Sequence, residues 1–239
     1  MPVDKGGCNI NILLAGQTGV GRSTLINMIT GATDGSTQAA RVSNDVRPCP
    51  IETTVHAAPL EVNGTTLQCS LWDTRGLDEA VDHPSLMDTA ANWLRQQGFG
   101  LFPKRQSERD LRNICRKRVN DLNDGEQSQS ASIVVLMWCI HASKIDVPIH
   151  WQHFRKVYVE YCDRRVKPVV VITQMTPGFA TEWEERCKEQ LGGLDLGIGL
   201  DDTKDLLLMV RKFRDTFSPE CLEDSLALKD LVFRLSGRT

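Results

Sequence analysis

The sequence predicts an α/β chain built on a doubly wound, mostly parallel sheet with one antiparallel edge strand. Three observations carry this. Apolar runs of strand length alternate with longer helical stretches. Two strand-like runs flank Asn63-Gly64, a dipeptide whose positions both tolerate the φ > 0 of a tight hairpin. The first apolar run leads into a Gly-rich segment and then a helix, the arrangement found at the mouth of open α/β sheets.

Taken in order, residues 8–15 (CNINILLA) read as a buried strand, 16–23 as the Gly-rich turn, and 24–30 as a helix closed by Gly31. Residues 32–50 are rich in Gly, Ser, Thr, Asn and Pro and read as loop. Residues 55–62 and 65–72 form the hairpin. Residues 78–130 read as an elaborated insertion with helical stretches near 84–97 and 104–121 and a polar GEQSQS linker. Beyond it lie a strand at 133–140 (IVVLMWCI), a helix at 148–164 and a strand at 169–173. A helix at 181–191, a strand at 205–210 and a last helix at 219–235 complete the chain. In the 148–164 helix, Trp151, Phe154, Tyr158 and Tyr161 recur at three- and four-residue spacing. The expectation is one domain over residues 1–239.

Bulk properties exclude several classes. With 239 residues, 41% hydrophobic and 25% charged, the chain has ordinary globular composition. A net charge of −3 provides no global field toward nucleic acid or membrane. No run approaches the roughly 18 apolar residues of a membrane span. Pro2 after Met1 and the terminal Ser-Gly-Arg-Thr lack the patterns for a lipid anchor. None of the eight cysteines forms a C-x-x-C pair, and several sit in apolar runs, so buried reduced thiols and a cytoplasmic setting are expected.

The chemistry is concentrated in Gly16, Gln17, Thr18, Gly19, Val20, Gly21, Arg22 and Ser23, with Thr24 following. This is the P-loop pattern G-x-x-x-x-G-K-[ST] with Arg22 in the lysine place. Its glycines let successive N–H groups turn inward on a phosphate, and the helix that starts there adds its positive end. Ser23 offers a hydroxyl to Mg²⁺, and the cation at 22 neutralises phosphate charge. Downstream, Asp73-Thr74-Arg75-Gly76 ends the second hairpin strand. A D-x-x-G there suits an Asp that reaches Mg²⁺ and a Gly N–H that approaches a γ-phosphate.

With GQTGVGRS, WDTRGL and VVVITQMT in hand, residues 9–235 resemble the translation-factor-related P-loop GTPases. Within that class the resemblance is to the septin-like and immunity-associated branch and to fungal-type proteins known by their G domain. It implies GTP or GDP as ligand, Mg²⁺ as cofactor and a threonine before the hairpin, Thr53 or Thr54, as a further metal ligand. It also implies movement of residues 33–54 and 74–85 with nucleotide state, and a homodimer or an effector protein as partner. The family's base motif [NT]-K-x-D corresponds to Thr173-Gln174-Met175-Thr176. Thr176 has no carboxylate to accept from both guanine donors, so guanine preference follows from the resemblance alone. Arg211 or Lys212 could flank the base. Leu77 stands where Ras-like enzymes have a water-orienting glutamine, so hydrolysis is slow or needs another chain.

Between Lys104 and Asn120 lie seven basic residues and a partial apolar stripe of Leu111, Ile114, Cys115 and Val119. The reading favoured is a solvated amphipathic helix docked on the domain. No aromatics interleave with the charges, which argues against nucleic acid. His150 and His153 lack a third ligand type and read as packing residues. Two other functions stand beside a slow GTPase switch. One is a non-hydrolysing, nucleotide-dependent scaffold. The other is a P-loop kinase with a lid at 104–118, which the hairpin speaks against.

Overall fold

The computed structural model describes residues 9–32, 40, 53–62, 64–74, 76–77, 106–125, 133–176, 182–196, 207–211 and 219–235. In chain order these form β1 (Asn9–Gly16), α1 (Arg22–Thr30), β2 (Thr54–Val62), β3 (Thr65–Asp73), α2 (Gln106–Gly125) and β4 (Ile133–His141). Then follow α3 (Pro148–Lys156), β5 (Lys167–Met175), α4 (Trp183–Gly192), β6 (Leu207–Arg211) and α5 (Pro219–Leu235). All six strands lie in one sheet of order β2-β3-β1-β4-β5-β6.

The hairpin forms as the sequence predicts. β2 runs antiparallel to β3 with Val62 opposite Thr65, and Gly64 takes φ 76°. β2 is the edge strand, and every other neighbouring pair is parallel. An antiparallel second strand removes the kinase alternative. The chain leaves β1 toward β3 and later returns on its other side as β4. The strand order therefore reverses between β1 and β4, which puts a crevice at the carboxyl end of β1.

The interior strands β1, β4 and β5 are mostly apolar because both faces are covered. On one face Leu13, Leu136, Trp138 and Ile140 pack with Trp151, Phe154 and Tyr158 of the α3 segment. On the other, Ile12, Leu14, Val135 and Met137 pack with Leu25, Ile26 and Ile29 of α1 and Leu228 and Leu231 of α5. β3, one strand from the edge, alternates instead: Leu67, Cys69 and Leu71 are buried while Thr66 and Gln68 are exposed.

Two elements differ from expectation. The helix at 148–164 is α-helical only to Lys156 and widens into a π-turn over Val157–Tyr161, with Cys162 N donating to Val157 O at 3.0 Å. The wide turn buries Tyr158, Tyr161 and Cys162 together, and Asp163 and Arg164 at positive φ end the run. In the insertion, the helix begins at Gln106 and runs to Gly125, further than 121. It docks through buried Leu111, Cys115 and Val119, while Arg109, Arg112, Arg116 and Lys117 stay exposed. The helix expected at 84–97 lies outside the described residues, as do Arg75 and Lys212.

Candidate nucleotide site

The segment between β1 and α1 sits at the crevice. Gly21 has φ 86° and caps α1, whose next residue, Arg22, is already helical. A side chain there would be strained, so glycine is what lets the chain turn from strand to helix within the loop. Leu25 N returns to Gly21 O at 3.0 Å, while the N–H groups ahead of it lie at the open, positive end of the helix.

The end of β3 closes against this loop. Leu77 N donates to Gly16 O at 3.0 Å, and Thr74 Oγ1 donates to Leu14 O at 2.7 Å. Gly76 lies so close that a Cβ added to it would stand 2.5 Å from Thr18 Oγ1 and 2.9 Å from Thr18 N. Only glycine fits this approach. The residues of the two motifs, 57 apart along the chain from Gly19 to Gly76, thus share one wall.

Asp73 and Ser23 meet in the structure. Ser23 Oγ donates to Asp73 Oδ2 at 2.7 Å, and both residues are buried. Burial raises the Asp73 pKa from 3.8, opposed by the Arg22 guanidinium and the Ser23 bond. Arg22 does not reach outward. It is 4% exposed, its Nη1 donates to Gly16 O at 2.8 Å and also to Gln17 O, and its Nε lies 3.5 Å from Asp73 Oδ1.

The two candidate threonines are in different settings. Thr54 is exposed and its hydroxyl bonds the His56 ring at 3.2 Å. Thr53 Oγ1 is buried with no hydrogen-bond partner among the described residues. Ser23, Thr53 and Asp73 are oxygen donors of the type Mg²⁺ takes. Asp73 accepts from Ser23 with Oδ2, while its Oδ1 has no hydrogen-bond partner among the described residues and lies 3.5 Å from Arg22 Nε, so a metal at Oδ1 would sit against the guanidinium.

At the base end, the sequence motif and the geometry diverge. Thr173 Oγ1 is buried and donates to Val20 O at 2.6 Å, which ties β5 to the phosphate loop. Gln174 sits at a register shift of β5 against β6 with φ 55°, and its Oε1 pairs with His141 Nε2 at 3.1 Å. His141 Nδ1 accepts from Ser143 N at 3.1 Å, so the ring proton is on Nε2 and donates to Gln174. Thr176 is exposed. His141 was missed by sequence reasoning, which ended β4 at residue 140. Its signal is the parallel register that sets it opposite Thr173. Gln17 is buried with both amide atoms lacking a hydrogen-bond partner among the described residues.

A Gly-rich loop capping the first helix at a sheet switch point, with the D-x-x-G strand closed on it, is the architecture of a P-loop fold. Similarity to solved structures supports the fold. Toc33 from Arabidopsis thaliana, crystallised with GDP and Mg²⁺, matches with TM-score 0.56 at 14% identity, over 95% of this chain and 85% of that one. The SRb-GTP/SRX complex from Chaetomium thermophilum gives TM-score 0.52 at 11% identity, over 92% and 97%. Residues 6–122 match the Septin family. Human Septin-4 is 29% identical over 117 residues, 48% of this chain and 24% of that protein. Septin-5 of Macaca fascicularis is 27% identical over 117 residues, 48% of this chain and 30% of that protein. The aligned stretch therefore spans less than a third of these curated relatives. The Septin match over residues 6–122 includes Gly16–Ser23 and Asp73–Gly76 and stops short of Thr173–Thr176.

Proposed function

We propose that this chain is a septin-like guanine-nucleotide-binding protein that hydrolyses GTP slowly and acts as a nucleotide-dependent switch or scaffold. The observation that supports it most is the loop from Gly16 to Ser23, with positive φ at Gly16, Gly19 and Gly21, closed by Gly76 against Thr18. Backbone N–H groups of residues 17–23 and the α1 terminus hold the phosphates. Gly76 offers its N–H near the third phosphate, and Arg22 supplies positive charge from below the loop. Ser23, Thr53 and Asp73 are the oxygen donors that Mg²⁺ would take to neutralise phosphate charge, and the Arg22 guanidinium competes with it for Asp73 Oδ1.

Leu77 supports the slow or non-hydrolysing form. It is buried, its N–H is committed to Gly16 O, and its side chain has no polar atom with which to orient water. Partners are a second copy of the chain or an effector protein. The five described cysteines that are buried and form no disulfide support a reducing, cytoplasmic setting. Among the described residues no helix is long and apolar enough to cross a membrane.

The test is extraction of any co-purifying nucleotide, then calorimetric titration of the stripped chain with GDP, GTP and ADP. GDP and GTP are expected to bind, with ADP weaker by less than about tenfold because the base end lacks a carboxylate. Flat traces with all three would overturn the nucleotide reading. Single-turnover hydrolysis then separates the slow GTPase from the scaffold.

A further inference from the structure

Arg22, Ser23 and Asp73 form a closed electrostatic unit at the start of α1. Asp73 is 2% exposed; its Oδ2 accepts from Ser23 at 2.7 Å, and its Oδ1 lies 3.5 Å from the Arg22 Nε, an ion-pair approach without a hydrogen bond. Arg22 spans a gap that no single-point cation can span. Its Nη1 lies on the carbonyls of Gly16 and Gln17 while its Nε faces the carboxylate. A guanidinium does this because its donors diverge in one plane, whereas a lysine ammonium is one compact charge. The unit carries no net charge: one guanidinium offsets one carboxylate. A divalent cation on Ser23 Oγ and Asp73 would leave a buried guanidinium beside a new double charge.

We propose that Arg22 is the resident counter-cation of Asp73, so that the site takes a nucleoside diphosphate without a divalent metal. This rests on the nucleotide reading above and deepens it. The arginine in the lysine place is then a specificity-determining residue that exchanges metal-assisted phosphate binding for a cation built into the chain.

The full chain, stripped of nucleotide, is titrated with GDP in excess Mg²⁺ and in excess EDTA. The two Kd values of the wild type should agree within about threefold, and Arg22→Lys should open the gap to about tenfold or more. Mn²⁺ paramagnetic resonance gives a second readout. Mn²⁺ should stay free over the wild-type GDP complex and become bound over Arg22→Lys. A wild-type Kd that weakens about tenfold in EDTA, or Mn²⁺ held by the wild-type complex, would overturn the proposal and leave nucleotide binding intact. Absence of GDP binding in both buffers would sink the nucleotide reading and this proposal with it. If Arg22→Lys does not fold, the wild-type pair of titrations and its Mn²⁺ signal still decide.

Discussion

The phosphate end and the base end of the crevice have diverged in opposite ways. At the phosphate end the geometry comes from the main chain: glycines at positive φ, a helix terminus, and Gly76 in contact with Thr18. At the base end, recognition would need one particular side chain, a carboxylate, and Thr176 does not supply it. The neighbouring groups there are turned to other uses, Thr173 to the Val20 carbonyl and Gln174 to His141. Recognition by backbone groups tolerates changes of side chain, whereas recognition by one side chain does not. The stretch matched by septins, residues 6–122, contains the first end and not the second.

The largest expected effect is at Arg22. Arg22→Ala leaves Asp73 buried without its cation, and loss of one partner from a buried pair costs about 3–5 kcal/mol. The loss should depend on pH. The folded pKa of Asp73 is already raised by burial, so its contribution to stability is full below 3.8 and is lost as pH rises through the folded value. Removing the guanidinium, which opposes that rise, lifts the folded value further. The deficit of the variant should therefore be greatest near neutral pH and shrink on acidification. Urea denaturation of both proteins across pH measures this, and a deficit independent of pH would show that the ion pair is not its source.

Next comes Gly76→Ala, which puts a methyl group against Thr18 backbone. Overpacking of this kind costs about 1–3 kcal/mol. It should fall on thermal stability and GDP affinity together, because the same contact shapes both. A variant as stable and as tight-binding as the wild type would show that β3 does not close on the loop.

At the other end, Thr176→Asp restores the carboxylate. A hydrogen bond to a charged group contributes about 1.5–3 kcal/mol, so GDP over ADP selectivity should rise roughly tenfold or more in competition titrations. An unchanged ratio would mean that the strand exit does not face the base.

The smallest effect is expected from Thr173→Val. Its hydroxyl belongs to the base motif by sequence but bonds the phosphate loop in space. One hydrogen bond is worth about 1 kcal/mol, so GDP and ADP should both weaken about fivefold. A loss confined to GDP would return Thr173 to the base.

Much of this architecture was legible in the sequence because it is local. Asn63-Gly64 fixes a hairpin by turn geometry, and apolar runs with no polar alternation announce strands covered on both faces. The helix from 219 to 235 was found to its ends. The π-turn at Val157–Tyr161 was not, since hydrophobic spacing does not distinguish a widened turn from a regular one when the same aromatics are buried. His141 was likewise invisible, because its role comes from strand register.

The sequence by itself determined the Gly-rich loop, the D-x-x-G strand, the hairpin and the absence of a carboxylate at Thr176. Each is a property of residues adjacent in the chain. Only the tertiary structure decided where Arg22 points, that Thr53 and not Thr54 is the buried hydroxyl, and that Thr173 serves the loop. Those outcomes depend on which distant carbonyls and carboxylates a side chain meets once β1, β3 and β5 lie in one sheet. Spacing along the chain carries no record of them.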